Sequence, residues 1–190
     1  MNILLVEDMP GFGRHILEQL QSEGHNVTWV VGAQHVDGDY LIGIAPSQEH
    51  DEFDSDSWDN EPDRLVTVDF TTVEIALLDG GLIKPVVSGG DFARPLSAFG
   101  VPCISITGGG AGAQPMADAG CCAALPKELV LLALRQGVLD FDKLRRAPLA
   151  VAQALIDFTE SQRSLKFAAS KQRSRFFTGF PVLDRLPETN

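Results

Sequence analysis

Five side chains suited to acid, metal or phosphate chemistry each close a short apolar run or follow directly on one. Glu7 and Asp8 follow "NILLV", Asp79 closes "IALLD" ahead of two glycines, Thr107 closes "PCISIT", and Lys127 follows "CCAALP". A carboxylate at the tip of an apolar run is costly to bury unless something pairs with it. Asp79 is therefore either a cap or a working group. If the runs are neighbouring strands whose carboxyl ends share one edge, that edge collects two or three carboxylates, a hydroxyl and an ammonium. Clustered carboxylates raise one another's pKa unless a cation sits among them. Mg2+ takes a few carboxylate oxygens, a carbonyl and waters in octahedral geometry. Lys127 would pair with Asp79 or with an anion attached to it, and Thr107 would hydrogen-bond the same anion. Such parts suit phosphoryl transfer onto a carboxylate, with metal and Lys127 balancing charge while Asp79 attacks in line.

The elements needed to position these groups can be read from the same runs. Segments 2–6, 27–31, 73–78, 102–107 and, more weakly, 121–125 are continuously apolar rather than alternating, as strands covered on both faces are. Between them, 11–23, 90–99, 111–119 and 127–136 carry helical spacing. Gly24, Gly100 and Gly137 stop three of these helices, and Pro95 is tolerable only in a first turn. Strands alternating with helices predict a doubly wound five-stranded parallel sheet. The alternation breaks after the second strand. There "YLIGIA" and "RLVTVDF" predict a β-hairpin in place of a helix over 36–70, its strands joined by an acidic loop. The tract 147–170, with Pro148 near its start and Val151, Leu155, Phe158 and Leu165 near one face, reads as one long helix.

Taken together and in order, "ILLVED", "LLD", "ISITG" and "LPK" resemble the receiver domain of bacterial two-component response regulators. The resemblance covers residues 1–137 apart from 36–70, and leaves 138–190 as a helical C-terminal extension. It implies the flavodoxin-like receiver fold, with Asp79 as phosphoacceptor for a histidine kinase or phosphotransfer protein. It further implies that Glu7, Asp8, Asp79 and the backbone carbonyl of Gly81 hold Mg2+. Thr107 would bind the phosphoryl oxygen and Lys127 would pair with the phosphate. Such a module is no enzyme beyond slow self-dephosphorylation. The chain departs from the family at position 124, where alanine replaces the switch aromatic, at Glu128, where a proline is common, and in the missing second helix.

Composition bounds the remaining readings. The net charge of -11 argues against non-specific nucleic-acid binding. The charge is also uneven: 49–63 holds eight acids and no lysine or arginine, whereas 161–177 holds five bases and no acid. Contact between these two segments on neighbouring protomers would favour a homodimer through the extension. No turn and second helix for DNA reading can be found there. Three cysteines make no disulfide framework, and neither a signal peptide nor a run long enough to span a bilayer is present, which together predict a cytoplasmic protein. Two other readings compete with phosphorylation. One is a phosphorylation-independent pseudo-receiver scaffold, and the other is a nucleotide-binding α/β enzyme using "GGGAG" at 108–112. The glycine run has the strand–loop–helix context but lacks the P-loop Lys-Ser/Thr. "DSDSWDNE" lacks the glycine and bidentate Glu of a calcium loop, and the four histidines are scattered.

Overall fold

The computed structural model describes residues 1–46, 65–82, 88–107 and 113–176, the side chains of 113 and 167–176 excepted. The acidic segment 49–63 with the calcium-like tract and His50, the glycine run 108–112, and the tail after Phe176 lie outside the described residues. The elements, in order, are β1 (Asn2–Val6), α1 (Pro10–Ser22), β2 (Asn26–Val30), β3 (Gly32–Val36), β4 (Tyr40–Ile44), β5 (Leu65–Asp69) and β6 (Ile75–Asp79). There follow α2 (Gly89–Ala98), β7 (Cys103–Thr107), α3 (Ala113–Asp118), β8 (Ala123–Pro126), α4 (Lys127–Arg135), α5 (Phe141–Arg146) and α6 (Pro148–Phe176).

Five strands form one parallel sheet in the order β2-β1-β6-β7-β8. Because side chains alternate along a strand, each run feeds two apolar layers. Ile3, Leu5, Ile75, Leu77, Ile104 and Ile106 enter one layer with α1 and α4. Leu4, Val6, Val30, Ala76, Leu78 and Cys103 enter the other with α2 and α3. Both faces are covered, which is why the runs are apolar throughout. Setting β3–β5 aside, the strand order is 2-1-3-4-5, the flavodoxin-like doubly wound arrangement.

The predicted hairpin is present as the antiparallel pair β4–β5, and β3 extends it to three strands. This small sheet lays Ala33, Leu41 and Val68 onto the α2–α3 layer, where a doubly wound fold would have a helix. β3 escapes the sequence reading because "GAQHV" is short, starts on glycine and carries a register shift between Ala33 and His35.

One further expectation is corrected. Pro95 lies inside α2 and not in its first turn. The helix loses one backbone bond there but is held by the Ser88–Asp91 capping box and by buried Phe92, Ala93 and Leu96. A short helix, α5, precedes the long one and is capped by Asp140, whose side chain accepts from Lys143 N.

The extension shares the core of the sheet. Leu139, Phe141, Leu144, Val151, Leu155 and Phe158 are buried in the same cluster as Ile104 and Leu125. α6 packs along β8, the edge strand. Arg145, just before α6, pairs with Glu74 at the amino edge of the sheet, and Lys166 lies 3.8 Å from Glu128 in the first turn of α4. The helix thus runs from the amino to the carboxyl edge. No helix among the described residues is long and apolar enough to cross a membrane.

Candidate phosphoryl and metal site

The carboxyl edge of the sheet brings the predicted residues together. Glu7 and Asp8 follow β1, Asp79 ends β6 beside it, Thr107 ends β7, and Lys127 opens α4 directly after β8. Parallel pairing sets the levels, since Leu78 is partnered with Val6, Ile106 with Asp79, and Pro126 with Thr107. Two glycines allow the close packing that fixes this edge. A Cβ on Gly89 would lie 2.2 Å from the Asp79 carbonyl oxygen, so only glycine lets α2 start against the Asp79–Gly80 backbone. A Cβ on Gly13 would lie 2.3 Å from the Trp29 ring, so α1 is seated on that indole.

Lys127 bridges two acids. Its Nζ donates to Glu7 Oε1 at 2.8 Å and to Asp79 Oδ2 at 2.7 Å. Glu7 Oε1 also accepts from Met9 N at 3.0 Å, and Asp79 Oδ1 accepts from Gly81 N at 3.0 Å. Behind the site, Glu7 N donates to Val30 O and Trp29 Nε1 donates to Glu7 O at 2.8 Å, tying the acid's backbone to β2. Thr107 is buried, and a Cβ on Gly80 would lie 3.6 Å from its Cγ2 methyl, which places it beside the Asp79–Gly80 turn.

Glu7, Asp8 and Asp79 are all buried, and one ligand oxygen from each lies within 4.8 Å of the others. Two oxygens on a common Mg2+ stand roughly 3 Å apart when adjacent and about 4.2 Å apart when opposite, given metal–oxygen distances near 2.1 Å. The cluster therefore needs only a small contraction to hold the ion. Glu7 Oε2 is the stronger sign, being buried with no hydrogen-bond partner among the described residues, a costly state for a carboxylate oxygen. An all-oxygen, three-carboxylate set fits a hard divalent cation.

Burial pushes the Glu7 carboxyl up from 4.5 to about 7, against the opposing hydrogen bonds from Lys127 and Met9. For Lys127, burial acts to lower the ammonium's pKa. The hydrogen bonds to Asp79 and Glu7 and the charges of both acids together outweigh it, so the pKa stands above the ordinary lysine value. At neutral pH Lys127 is a fixed cation beside Asp79.

Sequence reasoning missed Met9, Trp29 and Phe12 as members of the site. Lys127 Nζ lies 5.7 Å from the Phe12 ring centroid. No spacing rule links positions 12, 29 and 127, and only the fold brings them together.

No family model matches the sequence, and no curated protein sequence does. Solved structures do. The chain is similar to the signal receiver domain of a modulated diguanylate cyclase from Desulfovibrio desulfuricans G20, at 20% identity over 76% of this chain and 95% of that one, with TM-score 0.47. A two-component response regulator from Clostridium difficile matches at 12% identity over 75% and 96%, TM-score 0.49. The receiver domain of a sensor histidine kinase from Pseudomonas aeruginosa PAO1, with magnesium coordinated in its active-site cleft, matches at 21% identity over 72% and 95%, TM-score 0.44. Independently of these, the strand order of the chain and its covered faces define the architecture. This is the flavodoxin-like doubly wound fold.

Proposed function

We propose that this chain is a receiver domain, a phosphoacceptor signalling module of the two-component response-regulator type. Asp79 takes a phosphoryl group from the phosphohistidine of a kinase or phosphotransfer protein. A carboxylate oxygen of Asp79 forms a bond to phosphorus as the phosphorus–nitrogen bond breaks, and the departing imidazole nitrogen keeps the electron pair and takes up a proton. The observation that carries this reading is the Lys127 ammonium, within 2.8 Å of both Glu7 and Asp79 in a buried three-carboxylate cluster. Lys127 balances the charge on Asp79 and is placed to follow it onto phosphoryl oxygens. Thr107, ending the adjacent strand, supplies a hydroxyl donor to the same oxygens. Glu7, Asp8, Asp79 and the Gly81 carbonyl would hold Mg2+, which when bound supplies charge neutralisation and Lewis acidity toward the phosphoryl group. Beyond slow hydrolysis of its own acyl phosphate, the chain turns over no substrate.

The output is protein contact. α6 buries Val151, Leu155 and Phe158, and Leu165 further along it is 62% exposed. A second copy offering its acidic 49–63 segment to the basic 161–177 stretch would cover this part, giving a homodimer. The extension has two helices, but α5 is six residues long. Both it and the start of α6 bury their apolar faces in the core, which leaves no free helix pair to enter a DNA groove. Three cysteines without a disulfide, the innermost held far above its ordinary pKa by burial, suit the cytoplasm.

Ala124 favours the scaffold alternative, because it has no aromatic side chain to reorient. Beryllofluoride, a phosphoryl mimic, separates the two readings. With Mg2+ present, a saturable change in the fluorescence of Trp29, whose indole bonds Glu7 O, is expected. Silence with beryllofluoride, alongside a normal Mg2+ response, would leave the scaffold.

A further inference from the structure

An ammonium has three N–H bonds. Lys127 directs two of them at Glu7 and Asp79. Another neighbour of Nζ is the ring of Phe12, its centroid 5.7 Å away, within the reach of a cation–π contact. Phe12 is half-buried in the first turn of α1, and it packs against the apolar layer that α4 also enters. Its position is tied to the acids. α1 begins at Pro10, Gly13 N donates to Met9 O, and Gly13 rests on the Trp29 indole that also bonds Glu7 O. The ring is thus fixed by the same β1–α1 connection that presents Glu7 and Asp8.

Resting on the phosphoacceptor reading, we propose that Phe12 is a positioning residue, holding the Lys127 ammonium over Asp79 while its carboxylate partners change. Both acids that bind Lys127 belong to the proposed metal set, and Asp79 is also the proposed acceptor. As these oxygens take up other ligands, Lys127 loses hydrogen bonds and regains the rotamer freedom of a long side chain. It would then swing toward solvent. Among the described residues, the ring face is a contact of Nζ that neither metal nor phosphoryl group consumes. An aliphatic side chain at position 12 would pack as well but would not attract a cation, because the attraction comes from the ring quadrupole.

The test uses the full chain as wild type, Phe12→Leu and Phe12→Tyr, titrated with Mg2+ alone and then with beryllofluoride at saturating Mg2+. Phe12→Leu is expected to bind Mg2+ as wild type does but beryllofluoride roughly 2- to 30-fold more weakly, the cation–π range expressed as a ratio. Phe12→Tyr, which keeps the ring, is expected to stay within about twofold of wild type on the same scale. Equal beryllofluoride affinity in the Leu variant, or equal loss in Leu and Tyr variants, overturns the proposal. A second measurement needs no substitution. In wild type with Mg2+ and beryllofluoride, the Lys127 Hε protons should be shifted upfield by the Phe12 ring current, and unshifted protons would contradict the contact. If wild type ignores beryllofluoride, the phosphoacceptor reading fails and takes this inference with it. If wild type binds and the Leu variant binds equally, only this inference fails.

Discussion

At the scale of residues, the site is an arrangement of one cation among three buried acids, and Glu7 is its most strained member. Its pKa of about 7 lies above its ordinary 4.5, so between those values the folded chain binds a proton that the unfolded chain has released. Stability linked to Glu7 is therefore fully present below pH 4.5 and is lost as pH rises through about 7. A divalent cation competes with that proton. Mg2+ affinity, followed by Trp29 fluorescence, is predicted to climb by up to about tenfold per pH unit below 7 and to level off above it. The same titration should show metal-free chains losing thermal stability from pH 5 to 8 and Mg2+ restoring it. A flat affinity across that range would remove Glu7 from the ligand set. Asp79 and Lys127 were legible because each stands where an apolar run ends. Phe12 and Trp29 were not, because their roles depend on contacts between α1, β2 and α4 that leave no local signature.

At the scale of elements, legibility followed burial. The sheet strands β1, β6 and β7 are covered on both faces and read as unbroken apolar runs, so their ends, and hence the site, could be placed from sequence. β3 could not, since only Ala33 of its five residues is buried. α5, with six residues, is shorter than two helical turns and gives no periodicity to count. Pro95 argued for a later helix start, and tertiary burial of α2 overrode it. The packing of α2 against β6 provides a test at this scale. Gly89→Ala puts a methyl group 2.2 Å from the Asp79 carbonyl oxygen, and neither backbone can yield without moving the acid. The substitution should cost about 1–3 kcal/mol in urea unfolding and weaken Mg2+ binding. Gly90→Ala, whose nearest neighbours are Ala119 Cβ at 3.5 Å and Ser88 Oγ at 3.6 Å, should leave metal binding unchanged. Equal behaviour of the two variants would contradict the role given to Gly89. Signal transmission also belongs here. Glu7 bonds β2 through both its backbone groups, and β2 runs on into the small sheet, a route that needs no aromatic at position 124.

At the scale of the whole molecule, residues 138–160 and the parallel sheet are one packed body, and Leu165, further along α6, is exposed. A chain ending at Gly137 would strip six buried apolar side chains, Leu139 through Phe158, from the shared cluster. Losses of about 2–5 kcal/mol for each large side chain exceed the stability of an ordinary domain, so this chain is expected not to fold. A chain ending at Glu160 keeps those contacts and should fold, bind Mg2+ and sediment as a monomer, while the full chain sediments as a dimer at low salt and dissociates as salt screens the charge pairing. Unchanged association after truncation at Glu160 would place the interface elsewhere. The fold is thus a flavodoxin-like doubly wound sheet in which a small sheet stands where the second helix would lie and the edge strand is covered by the chain's own extension.

The central claim is that Asp79 is the phosphoacceptor, and intact-mass analysis of the full chain after incubation with acetyl phosphate and Mg2+ tests it most directly. The account predicts a gain of one phosphoryl group in wild type, reversed on standing, and no gain in Asp79→Asn. The same gain in Asp79→Asn, or none in wild type that binds Mg2+ normally, would contradict it.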